Sequence, residues 1–135
     1  MDWEAIRTKE LEDLLDHLIS SPKHPFDGHL RSLLPDLPGL YVISVKGNEE
    51  GEYLRAGRTD EGGLRQRVYG NHLMGDQKGN LRQQLTAKGI CNDLESAKKW
   101  MQENCQVQWV VIHDPALRKW AEHYVLSVLR PQFCD

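Results

Sequence analysis

Residues 39–57 read GLYVISVKGNEEGEYLRAG, and the architecture turns on this stretch. Gly39 to Lys46 is rich in β-branched and aromatic side chains, Gly47-Asn48 begins a turn, and Glu52 to Gly57 reads as a returning strand. The loop between them is short enough for an antiparallel hairpin. With Val45 opposite Tyr53, Ile43 meets Arg55 and Tyr41 meets Gly57. Side-chain alternation then puts Tyr41, Tyr53, Arg55 and Gly57 on one face of the hairpin.

Downstream, Asp60-Glu61-Gly62-Gly63 breaks the strand, and Leu64 to Leu73 reads as a helix. A second short helix covers Asn80 to Lys88 and stops at Gly89. A third runs from Asp93 to Glu103, capped by Asn92 or Asp93. Gln106 to Ile112 is a strand. Asp114 caps a last helix with Pro115 in its first position, and Leu117, Trp120, Ala121, Tyr124, Val125, Val128 and Leu129 form its apolar stripe. Upstream, residues 3–20 form an amphipathic helix carrying Leu11, Leu14, Leu15, Leu18 and Ile19 on one face. Residues 23–38 hold four prolines and glycines (Pro25, Gly28, Pro35, Pro38) and read as irregular, with one helical turn at His29 to Leu34. The reading is an α/β (α+β) domain with helices against a small sheet, residues 39–135, preceded by a helix and linker over residues 1–38.

A chain of 135 residues can bury a core without staples. It lacks the run of about 20 apolar residues that a membrane helix needs. Cys91, Cys105 and Cys134 are odd in number and include no CxxC pair, which points to reduced thiols in a cytoplasm. The net charge of −3 hides an asymmetry. Between Glu52 and Lys88 seven Lys or Arg meet four acids, giving +3. The remaining 10 bases and 16 acids give −6. One basic face on an acidic body is compatible with phosphate binding. Neither GxGxxG nor a P-loop occurs.

Pro38-Gly39-Leu40-Tyr41, with Gly57 sixteen residues beyond Tyr41 in YLRAGRT, is similar to the paired strand motifs of the GIY-YIG nucleases. GLRQRVYGNHL (residues 63–73) resembles that family's first helix. AEHYVLSVLRPQF (residues 121–133) resembles its metal-binding helix with the trailing Leu-Arg-Pro. The resemblance covers about the last hundred residues. It implies a three-stranded antiparallel sheet flanked by helices, and a metal-dependent endonuclease acting on nucleic acid, with DNA favoured over RNA. An impaired domain that only binds nucleic acid or protein is the alternative.

Phosphodiester hydrolysis needs an activated water, a means of polarising the phosphate, and cations for the developing charge. The resemblance nominates Tyr41 to activate or position the water. A free tyrosine titrates at about 10 and needs nearby positive charge to act as a base. Arg55 stands where the second motif has a tyrosine; it either supplies such charge, grips phosphate, or marks a damaged site. Gly57 allows close backbone approach, and Arg58 follows as a phosphate cation. Arg67, three residues after Leu64, is the favoured transition-state arginine. Arg65 competes, and on an α-helix the two lie about 200° apart, so only one can face the site. His72 stands five residues after Arg67 where the family spacing is four. Glu122 is the expected ligand for Mg²⁺ or Mn²⁺, which suit one carboxylate with water and phosphate oxygens. The leucine stripe of the N-terminal helix packs on its own domain or on a second copy in a homodimer.

Overall fold

The computed structural model describes residues 2–47, 52–75 and 79–133. Helix α1 (Trp3–Ser20) starts at Asp2, whose carboxylate accepts the Glu4 and Ala5 amides. Strand β1 (His24–Pro25) and helix α2 (Leu30–Leu33) follow. The hairpin strands are β2 (Gly39–Val45) and β3 (Tyr53–Thr59). A π-helix (Arg65–Leu73) then leads to α3 (Leu81–Ala87), α4 (Leu94–Asn104), β4 (Cys105–Val111) and α5 (Pro115–Leu129).

The four strands pair antiparallel in the order β1-β4-β2-β3. The fourth is β1, from the segment read as irregular. It forms because His24 stacks on Trp109 with ring centroids 4.8 Å apart, and because Phe26 beside it is fully buried. Proline is tolerated there because the strand lies at the sheet edge.

In the hairpin, Tyr41 faces Gly57 and Ile43 faces Arg55, as alternation demands. Tyr53, however, pairs with Ser44 and not with Val45, because a β-bulge leaves Leu54 unpaired. The extra residue inverts the alternation. Leu54 joins the core on the side of Tyr41, and Tyr53 packs on the opposite side, so Tyr53 leaves the face it was expected to share with Arg55. The Leu54 carbonyl accepts the Phe133 amide at 2.8 Å, and the Tyr53 carbonyl accepts that of Gln132 at 2.9 Å.

The sheet separates two cores. Tyr41, Ile43, Val68, Leu81, Leu85 and Met101 pack on one side, against the π-helix, α3 and α4. Leu40, Val42 and Ala56 pack on the other, with Ala121 and Val125 of α5 and Leu15 and Leu18 of α1. The leucine stripe of α1 is therefore spent within the chain. On α5 the buried residues are Arg118, Ala121 and Val125, so the buried line is displaced from the expected stripe and leaves Trp120 58% exposed and not in the core. Cys91 and Cys105 are buried free thiols, with burial pushing Cys105 up to about 12; Cys134 lies outside the described residues. No helix among the described residues is long and apolar enough to cross a membrane.

Gly39 sits between β3 and β4, where a Cβ would overlap the Val110 carbonyl. Backbone cannot retreat there without opening the ladder. Gly39→Ala is expected to cost about 3 kcal/mol in urea unfolding, and Gly28→Ala, whose Cβ meets nothing within 4 Å, is expected to change stability by no more than about 0.5 kcal/mol. Equal midpoints for the two variants would refute this account of the strand junction.

Candidate functional site

Tyr41 leans across its partner Gly57, where an added Cβ would lie 2.8 Å from the tyrosine hydroxyl. An aromatic ring covering a cross-strand glycine is a stable arrangement, and only glycine leaves room for it here. The hydroxyl lies 2.7 Å from Nε2 of His72. On the other side of that ring, Nδ1 accepts the Leu81 amide at 3.0 Å. Because a backbone N–H can only donate, Nδ1 must carry the lone pair and Nε2 the proton. His72 therefore donates to the Tyr41 oxygen and cannot accept a proton from it in this state.

His72 is fully buried, and Tyr41 is 1% exposed. Burial first, then the positive charges of Arg55 and Arg67, hold the imidazole well below its ordinary value and keep it neutral. The influence of Arg67 on His72 follows from the π-helix. Its amides bond five residues back, as Met74 does to Tyr69, so residues five apart stack as residues four apart do in an α-helix. The extra residue between Arg67 and His72 is thereby absorbed.

The arginine candidates separate clearly. Arg65 donates to the carbonyls of Arg31 and Leu34 and pairs with Asp36 at 2.8 Å, so it pins the π-helix to the α2 loop. Arg67, half-buried, makes no hydrogen bond or ion pair with any described residue, and its guanidinium stays available. Arg55 is 1% exposed, with Nη1 donating to the Gly79 carbonyl at 2.9 Å and to Gln84 at 2.6 Å. That makes it an internal strut between β3 and α3 and takes it away from phosphate in solvent.

Arg58 and Glu122 meet on the other face. Leu40 and Ala56 belong to the α5 side, and so does Arg58, two residues on. As the outer strand, β3 has amides with no strand to pair with. Glu122 Oε2 accepts the Arg58 amide at 2.9 Å, and Oε1 accepts Arg58 Nη1 at 3.0 Å. Arg58 Nε also donates to Asp60 at 3.1 Å, and Asp60 accepts from the buried Arg118 at 2.9 Å. Burial opposes ionisation of Asp60, but hydrogen bonds from Arg118 and Arg58 override it and hold the carboxyl below its ordinary value.

Tyr41 and Glu122 thus approach β3 from opposite faces and touch adjacent residues, Gly57 and Arg58. As the expected ligand for a divalent ion, Glu122 has a guanidinium and an amide around it, both of them donors. Among the described residues, no group of three or more His, Cys, Asp or Glu gathers to hold a metal. The donor set does not fit Mg²⁺ or Mn²⁺ as it stands.

The basic run between Glu52 and Lys88 is partly spent within the fold, and Lys78 lies outside the described residues. Arg55 and Arg82 are buried, and Arg58 and Arg65 are ion-paired. Arg82 donates to the carbonyls of Met74, Gly75 and Leu94, closing the end of the π-helix. Asn80, which the sequence reading leaves as the first residue of a short helix, is buried, caps α3 through the Gln83 amide and holds the carbonyls of Asn71 and Gly75. Its sequence signal is its place just before a helix.

No protein-family model matches the chain, and neither a curated protein nor a solved structure matches it.

In the unfolded chain His72 takes up a proton near pH 6.5, whereas in the folded protein it does so only well below that. Its contribution is complete above pH 6.5 and is lost as pH falls beneath it, by up to about 1.4 kcal/mol per pH unit. Urea unfolding at pH 7.5 and 5.5 is expected to show a steeper loss for wild type than for His72→Gln. Parallel losses would remove His72 as the cause.

Proposed function

We propose that this chain is a GIY-YIG-like phosphodiesterase domain that cleaves nucleic acid, DNA in preference to RNA. The observation that carries the reading is the cluster around the Tyr41–Gly57 pair. Tyr41 is hydrogen-bonded to His72, which stacks one π-turn from the uncommitted Arg67. Residues 31 apart in sequence meet there in the order the resemblance implies.

Arg67 supplies the chemistry this arrangement supports best. Its planar fork is free to take phosphate oxygens and to stabilise the charge that develops on them. His72 orients the Tyr41 hydroxyl by donating to it. Gly57 keeps the strand low beneath that hydroxyl, and Arg55 braces α3 behind it. The resemblance implies Mg²⁺ or Mn²⁺ at Glu122, but Arg58 already engages both of its carboxylate oxygens.

A second reading has its own support. Arg55 is a buried strut in place of the motif tyrosine, Tyr41 is sealed from solvent, and Glu122 is capped. These features favour an impaired domain that binds nucleic acid or protein without cutting.

Incubation of the purified chain with single- and double-stranded DNA and RNA, in Mg²⁺, Mn²⁺ or EDTA, separates the two. Cleavage is expected, with Arg67→Ala slower by about 10²–10³ and folded as judged by circular dichroism. Retention without cleavage in every condition would favour the binding module, and an Arg67→Ala variant as fast as wild type would remove this cluster as the active site.

A further inference from the structure

We propose that Arg58 holds the place of a divalent cation on Glu122, so that in the free protein this carboxylate is one end of an ion-pair chain and not an open metal ligand. The inference concerns the carboxylate nominated under the nuclease reading, but its test does not use cleavage, so either can fail alone.

Four charges alternate in sign along the edge of β3: Glu122, Arg58, Asp60 and Arg118. The far end is fixed. Arg118 is buried, and its Nη1 is tied to the Ile112 and His113 carbonyls. Asp60 is held by Arg118 and in turn holds Nε of Arg58. With Nε anchored, the Arg58 fork is aimed at Oε1 of Glu122. The Arg58 amide takes Oε2, so one residue engages both oxygens. Hydrogen bonds alone would not exclude a metal, since a carboxylate has about four lone-pair sites. The guanidinium excludes it by filling the position and by repelling a second cation in a place only about one-fifth exposed. An arginine delivered by its own strand needs no recruitment from solution, so it outcompetes a weakly held ion.

Mn²⁺ titration followed by the electron paramagnetic resonance signal of the free ion tests this. Wild type and Glu122→Gln are expected to bind Mn²⁺ equally weakly. Arg58→Gln, which removes the charge and frees Oε1, is expected to bind at least tenfold more tightly. The double variant Arg58→Gln with Glu122→Gln is expected to return to the wild-type level. Asp60→Asn, which loosens Arg58 without altering Glu122, is expected to give a smaller gain and serves if Arg58→Gln does not fold by thermal melting. Wild-type binding that Glu122→Gln abolishes would overturn the proposal. So would an absent gain in the folded Arg58 variant, in Asp60→Asn where that stands in, or a gain that survives in the double variant.

Discussion

One imidazole links three elements of this protein. His72 belongs to the π-helix, donates to Tyr41 of β2, and accepts the first amide of α3. That amide is among those a helix cannot satisfy internally, and inside a core it must find an acceptor. Removing either partner leaves a buried polar group unmatched, at about 1–3 kcal/mol each. The protonation state is therefore set by packing. A charged imidazole would lose the Leu81 contact, face two arginines and be shut off from solvent. The Tyr41 hydroxyl, the start of α3 and the exit of the π-helix all depend on this ring staying neutral.

The arginines show how position decides the use of one side-chain type. Arg55 and Arg82 lie inside: Arg55 holds the Gly79 carbonyl just ahead of α3, and Arg82 holds carbonyls at the C-terminal end of the π-helix, where the backbone presents negative charge. Arg118 grips the turn before α5, and Arg65 ties the π-helix to the α2 loop. These are mechanical duties for a rigid, always-charged fork. Arg67 alone among the arginines of residues 52–75 has neither a carbonyl nor a carboxylate, which is why the functional reading rests on it.

Much of this was legible in the residues. The hairpin pairing of Tyr41 with Gly57 follows from alternation counted between two breaks, and the Asp114-Pro115 start of α5 from capping chemistry. Other features were not legible because they depend on partners remote in sequence. The bulge at Leu54 answers to Phe133, 79 residues on, whose amide donates to the displaced carbonyl. β1 has no strand pattern of its own and exists because Trp109 offers a ring to His24. A π-helix has no residue signature, so the one-residue excess between Arg67 and His72 reads in the sequence only as a departure from the family spacing. The basic run misled because charge counted along a chain does not reveal which guanidinia fold inward, as Arg55 does on the Tyr41 face of β3. Trp120 misled in the opposite sense, since its spacing places it in the apolar stripe, whereas the buried line of α5 runs through Arg118, Ala121 and Val125.

The covering of the outer strand has a consequence for how the molecule behaves among its own copies. An uncovered outer strand is a template on which another chain can add a strand, the first step toward aggregates. Here β3 is screened at both ends, by residues 132–133 along Tyr53 and Leu54 and by the Glu122 side chain at the Arg58 amide. The same carboxylate that belongs to the candidate site thus also guards against edge-to-edge association. Any change that draws Glu122 away from the strand exposes that template, so edge protection and the ion-pair chain are bound to one side chain.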